Sequence, residues 1–269
     1  MDIKQKLLSR SVTITGKNFL NKRSAITFAP YSKLGWWWKV GDEIIPIDWR
    51  IARYKKGRVQ LFYKGHVLNV WEHIGILRFL GIDCVLISAD TSPPYYTALE
   101  YFTELSPYLY GTEAILPVVR FPQKGEYASA NKLGSYVVLA PQPLPDLRLE
   151  VVSQWEDLPE NKQSILFSKL YETAKILEVL SAKPQGLSKR KVPAKVLSTL
   201  GIWGHMRTVS WKSDFPSKEV AAIHWGYHRM QDFLGELSLV SHTALPIGAA
   251  TSYMAGHRET LSAINNVFS

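Results

Sequence analysis

Two short segments near the start of the chain alternate apolar and polar positions. "SVTITG" (11–16) and "SAITFAP" (24–30) are rich in β-branched residues and lie either side of a short polar stretch. That pattern predicts an antiparallel hairpin. A second hairpin is expected from "VQLFY" (59–63) and "HVLNV" (66–70), which flank Lys64–Gly65. The period then changes. "WEHIGILRFLG" (71–81) carries its apolar residues at helical spacing, and Gly81 is a natural helix stop. "CVLISAD" (84–90) reads as a buried strand, Pro93–Pro94 breaks the chain, and "TALEYFTELSPYL" (97–109) is again helical.

Residues 110–145 are irregular and proline-rich, with strand candidates at 114–121 and 135–141. The cycle then repeats, with strands expected at 148–155, 207–211 and 244–256 and helices at 168–181, 217–240 and 259–268. Each half holds strands plus two helices, which predicts an α+β protein of two similar layers rather than a doubly wound sheet. We expect two similar domains, residues 1–112 and 113–269.

Composition narrows the setting. The chain has 269 residues, 46% hydrophobic and 20% charged, which suits a soluble globular protein with one or two cores. No apolar run is long enough to span a bilayer, and the first residues lack the apolar segment of a secretory signal. Cys84 is the single cysteine, so no internal disulfide can form, and a cytoplasmic protein is the simplest expectation. The net charge of +9 favours anionic partners, though its cations are spread, with small clusters at 17–23, 53–58 and 183–195. No nucleic-acid motif accompanies them, and the nine tryptophans are scattered, so no nucleic-acid partner is expected.

The chemistry concentrates in "HWGYHRMQDFLGELSLV" (224–240), where His224, His228 and Asp232 fall at four-residue steps and share one helix face. Hydrolytic zinc takes three His or carboxylate ligands and keeps a fourth position open. His228 and Asp232 would supply two of them, and His73 in "WEH" is the best third candidate. Glu72 beside it would be placed to take a proton from water, and His257 in "AGH" could act as an acid or stabilise negative charge. Each signal has a plainer reading. A histidine on an amphipathic helix is more often a hydrogen-bonded structural residue, a His–Asp pair can be a surface pair, and "EH" is a common dipeptide. For His224 the plain reading is the better one.

Four motifs in order carry a resemblance over nearly the whole chain: "SVTITG", "VWEHIGILRFLGIDCVLI", "HRMQDFLGEL" and "YMAGH". The set resembles the zinc-dependent UDP-3-O-acyl-N-acetylglucosamine deacetylases of lipid A biosynthesis. Their "TVEHLLAALAGLGIDN", "HKxLDxIGDL" and "KAGHALN" align with "NVWEHIGILRFLGIDC", "HRMQDFLGEL" and "MAGHRET" here. The resemblance implies Zn2+ held by His73, His228 and Asp232, a general base at Glu72 and a catalytic histidine at His257. It implies substrate contacts at Arg229, Glu236 and Lys183. The implied fold is a β-α-α-β sandwich, each domain a sheet layered with two helices, with the active site between the domains. An acyl-chain tunnel is expected from residues 182–207. The implied function is zinc-dependent N-deacetylation of an acylated amino sugar, presented as a nucleotide sugar or glycolipid. Such a lipid substrate would bring a monomeric enzyme close to a membrane surface.

Departures fall on substrate-handling positions. "KNFLNKRS" (17–24) replaces the family's "VGLHSG" turn, and "TSPPYYTALEY" (91–101) replaces an acidic and "DGS" turn. Arg229 stands for a lysine and Glu236 for an aspartate. The family's "ARTFGF" aligns with "AKPQGL" (182–187), which puts Pro184 where a threonine would bind the reacting carbonyl. Proline offers no donor there, and loss of one oxyanion donor costs about 10²–10³ in rate. The alternative expectation is therefore a divergent paralogue that keeps the metal site and binds an anionic glycolipid or nucleotide sugar with little turnover.

Overall fold

The computed structural model describes residues 2–18, 20–55, 57–89, 92–122, 126–129, 134–155, 157–172, 175–183, 209 and 211–269. After β1 (Lys4–Leu8), strands β2 (Val12–Lys17) and β3 (Arg23–Pro30) form the expected hairpin, with Ile14 opposite Ile26. Alternation sends Val12, Ile14, Ile26 and Phe28 into the core. On the other face Thr13 and Thr27 meet through their hydroxyls at 2.9 Å. Next come β4 (Trp36–Val40), β5 (Glu43–Pro46) and a three-stranded meander of β6 (Ala52–Lys55), β7 (Arg58–Tyr63) and β8 (His66–Asn69). The second hairpin turns through Lys64 and Gly65, both at positive φ (45° and 88°), as a tight two-residue turn requires.

Helix α1 (Trp71–Gly75) leads through a 3-10 segment, Ile76–Leu80, to Gly81 at φ 91°. The region expected to be one helix over 71–81 is thus a short α-helix tightened into 3-10 geometry. Every residue from Trp71 to Leu80 is buried, so this segment is core on all sides. Strand β9 (Val85–Ala89) completes a sheet in the order β2-β3-β9-β4-β5. Helix α2 (Ala98–Leu105) starts at Thr97, whose hydroxyl accepts from the Glu100 N–H while the Glu100 carboxylate accepts from the Thr97 N–H.

Strand β10 (Leu109–Ile115) returns to pair with β1, and β11 (Val118–Arg120) joins a different sheet. The single strand expected at 114–121 is therefore split at Pro117, which has no N–H to continue the ladder. That second sheet contains β12 (Glu126–Ser129), β13 (Tyr136–Ala140), β14 (Leu147–Ser153), β15 (Asn161–Leu166) and the later β16 (Leu245–Tyr253), in the order β12-β13-β16-β14-β15 with β11 also on β16. Its helices are α3 (Phe167–Glu172), α4 (Lys175–Ser181), α5 (Trp211–Asp214), α6 (Lys218–Leu237) and α7 (His257–Phe268). The strand expected at 207–211 is corrected at its end, because Trp211 opens a helix. Five alternating residues are too few to separate a strand from a helix start.

The protein is mixed α+β. Helix α6 lies on β14 and β15, α7 lies over β12 and β13, and α1 and α2 pack against α6 and α4. Arg78 ties these parts together. Its buried guanidinium donates to the carbonyls of Ser238, Ser241, His242 and Ala244, just past the end of α6. Among the described residues no helix is long and apolar enough to cross a membrane.

Candidate metal centre

Glu72 and His73 sit on α1, and a backbone kink aims them. Val70 adopts φ 57° at the helix start, a conformation a β-branched residue rarely takes. Two glycines then let the helix meet α6 almost backbone to backbone. A Cβ at Gly235 would collide with the Glu72 carbonyl, and one at Gly75 would lie 2.5 Å from the Gly235 carbonyl oxygen. Only glycine permits that approach, and it sets Glu72 and His73 against α6.

Helix α6 begins at Ser217, whose hydroxyl accepts from the Val220 N–H. From His228 to Leu237 all its residues are buried, so polar side chains there need partners. His228, Asp232 and Gly235 follow one stripe at four- and three-residue steps, which carries them along the face turned to α1. His228 Nε2 lies 3.3 Å from Asp232 Oδ2, and the His228 and His73 rings meet edge to face at 6.2 Å. His73 Nδ1 contacts the Tyr96 carbonyl at 2.9 Å, and its ring stacks on Tyr95 at 5.3 Å. Arg229 Nη1 donates to Asp232 Oδ2 at 2.5 Å, while Nη2 donates to the Ala255 carbonyl at 2.8 Å.

His257 enters from a second kinked segment. Met254 stands at φ 48°, and the Gly256 N–H then donates to Glu259 at 2.8 Å as α7 begins. His257 Nδ1 makes a very short contact to the fully buried Glu236 carboxylate, and Nε2 faces Asp232 Oδ2 at 4.0 Å. Burial opposes a charged imidazole, yet Glu236 and Asp232 outweigh it and hold His257 up to about 9. Burial pushes His228 down to about 3, with Asp232 only partly compensating. Burial also raises the Glu72 carboxyl above the usual carboxylate range, against the pull of His257 and His73. For Asp232 burial works upward too, but His228, Arg229 and His257 together hold it below that range.

A zinc ion is the group the resemblance implies, and the donor set suits it: two imidazoles and one carboxylate, all buried. Asp232 Oδ1 is buried with no hydrogen-bond partner, an acceptor left open for a cation. Zinc–ligand bonds of about 2.0–2.2 Å at a tetrahedral angle put donor atoms about 3.3 Å apart. The His228 Nε2 to Asp232 Oδ2 separation, 3.3 Å, is close to that spacing, measured to the oxygen that Arg229 holds rather than to the open Oδ1. His73 also has the carbonyl support on its second nitrogen that metal-binding imidazoles use, whereas His228 Nδ1 lacks such a partner. As they stand, the described residues include no group of three His, Cys, Asp or Glu closed around one point. The Arg229 guanidinium already sits on Asp232 Oδ2. The open Oδ1 and the two-imidazole, one-carboxylate donor set are the features that fit a zinc ion.

Of the residues read from the sequence, Glu72, His73, His228, Arg229, Asp232, Glu236 and His257 come together. Glu236 is inaccessible and holds His257, and Arg229 is buried on Asp232, so both act on neighbours here. Lys183 joins none of these contacts among the described residues. Its backbone meets His224 Nε2, which pins the end of α4 to α6 and gives His224 a structural role. Pro184 lies outside the described residues, as does the tunnel segment beyond Lys183. The sequence reading missed Gly75, Gly235, Tyr95 and Tyr96. A glycine inside a helix, which costs about 1 kcal/mol relative to alanine, was the available signal for the first two. The chain matches no protein-family model and no curated protein.

Proposed function

We propose that this chain is a zinc-dependent amide hydrolase that removes an acyl group from an acylated amino sugar. One observation carries the reading: a buried two-imidazole, one-carboxylate donor set with an open acceptor, flanked by a carboxyl of raised pKa and an imidazole held charged at neutral pH. The substrate class comes from the motif resemblance. The reading includes a fold of two layered domains, supported by the packing of α1 and α2 on α6 and α4.

His73, His228 and Asp232 would hold the ion, which supplies polarisation of the amide carbonyl and activation of water when bound. Glu72, with its raised affinity for protons, takes a proton from the attacking water. His257, charged below pH of about 9, stabilises negative charge on the carbonyl oxygen and gives a proton to the departing amine. Glu236 fixes the His257 ring and its charge. Arg229, bound to Asp232 and Ala255, orients the ligand carboxylate.

The test is elemental analysis of the purified protein together with deacetylation assays on UDP-linked and lipid-linked N-acetyl amino sugars. We expect about one zinc per chain, and Glu72→Gln to lower turnover by about 10²–10⁴ with zinc retained. Glu72→Gln with wild-type turnover would sink the reading. A second reading, a metal-keeping binder without turnover, is favoured by Arg229, which already neutralises Asp232. Full zinc occupancy with no hydrolysis of any panel member would select it.

A further inference from the structure

The hairpin β2–β3 ends in an arrangement that works against its own stability. Lys17 and Arg23 are directly opposed cross-strand partners, and like charges in that position repel. Both are exposed, and neither forms an ion pair among the described residues. Asn18 braces the described part of the connection between them. The Asn18 side chain accepts from the N–H groups of Leu20 and Lys22, and the Asn18 N–H donates to the Lys22 carbonyl. The strand register thus places the two residues directly opposite each other on adjacent strands.

They also line an open surface pocket of about 600 Å³, together with Thr15, Gly16, Ser24 and Ala25. The wall of this pocket is bonded to the segment that carries the metal-site supports. Tyr95 N–H donates to the Lys17 carbonyl at 2.9 Å, and the Tyr96 hydroxyl donates to the Thr15 carbonyl at 3.1 Å. Tyr95 is the ring stacked on His73, and the Tyr96 carbonyl is the group on His73 Nδ1. The Ser24 hydroxyl bonds the Ser92 carbonyl, which closes the same wall.

We propose that this pocket is an anion subsite for a phosphate group of the substrate, held by Lys17 and Arg23 with the Thr15 hydroxyl. A phosphate offers three acceptor oxygens and close to two negative charges, enough to relieve both cations at once. Arg23 provides a planar fork and Lys17 a mobile point charge, a combination suited to phosphate. Tyr95 and Tyr96 couple the subsite to His73, so an anchored phosphate fixes the substrate relative to the reacting centre. The subsite rests on the hydrolase reading only for what happens at the substrate's other end.

The experiment is calorimetric titration of the full chain with inorganic phosphate and then inorganic pyrophosphate, with and without added zinc. A parallel arm uses vesicles containing phosphatidic acid, to separate free phosphate from a lipid headgroup. The double variant Lys17→Gln/Arg23→Gln is compared with Lys39→Gln/Lys175→Gln, which removes equal charge from exposed positions elsewhere. We expect phosphate and pyrophosphate to bind independently of zinc and to weaken about tenfold or more in the first variant only. We also expect that variant, without phosphate, to melt at a higher temperature than wild type, and phosphate to raise the melting temperature of wild type alone. Loss of turnover in every assay would end the hydrolase reading and leave these results standing. Three results would overturn the subsite: no phosphate binding, equal weakening in both variants, or binding to vesicles alone.

Discussion

Glu236 decides what His257 can do. Its carboxylate is fully buried against the imidazole, and it is the largest influence holding that ring charged against burial. Replacing it by glutamine keeps the shape and a hydrogen-bonding oxygen while removing the charge. Glu236→Gln is therefore expected to bring the His257 pKa down from about 9 toward or below the usual 6.5. Titration of the His257 ring protons by nuclear magnetic resonance reads this directly. An unshifted titration would show that Asp232 alone sustains the charge. Where turnover is measurable, the alkaline limb of the pH–rate profile should move to lower pH by the same amount.

At the scale of elements, the site depends on how closely α1 crosses α6. Gly235 is where the Glu72 carbonyl comes nearest, and Gly75 faces it from the other helix. Gly235→Ala would raise the intrinsic helix propensity of α6 by about 1 kcal/mol. It would also drive a methyl group into the Glu72 backbone, and overpacking of this kind costs about 1–3 kcal/mol or more. We expect net destabilisation in urea unfolding, with metal affinity falling because His73 is displaced from His228 and Asp232. A variant more stable than wild type would mean that the crossing has slack. The control Gly111→Ala, where a new Cβ meets nothing nearby, should be close to neutral.

For the whole molecule, the buried titratable groups set how stability varies with pH. His257 binds its proton more tightly folded than unfolded, so its contribution is complete below pH of about 6.5 and lost as pH rises through about 9. Glu72, also raised, adds to the loss as pH climbs from the carboxylate range. His228 behaves oppositely. Its folded value near 3 means that stability present above about 6.5 declines as pH falls toward 3. Asp232, lowered, adds to that acid-side loss. Thermal unfolding of the metal-free chain should show an optimum in the neutral range with a fall on both sides. A melting temperature flat from about pH 6 to about pH 9 would contradict the buried charged His257.

Sequence alone determined what is local. The alternation of β2 and β3, the Lys64–Gly65 turn, the Ser217 cap and the four-residue step from His228 to Asp232 are each written within a few neighbouring residues. Strands without a clean local pattern stayed hidden. β4 is apolar at three successive tryptophans, and β15, "NKQSIL", is polar at its start. β1 gains its strand pairing from β10, a distant partner. Tertiary structure alone decided that Glu236 serves His257, that His224 serves the backbone at Lys183 just past α4, and that two glycines set the helix crossing. It also decided that Lys17 and Arg23 share a pocket wall with the tyrosines behind His73. The physical reason is common to all of these. Burial, close approach and opposed charge are properties of pairs brought together from far apart in the chain, and no short window of sequence contains both members.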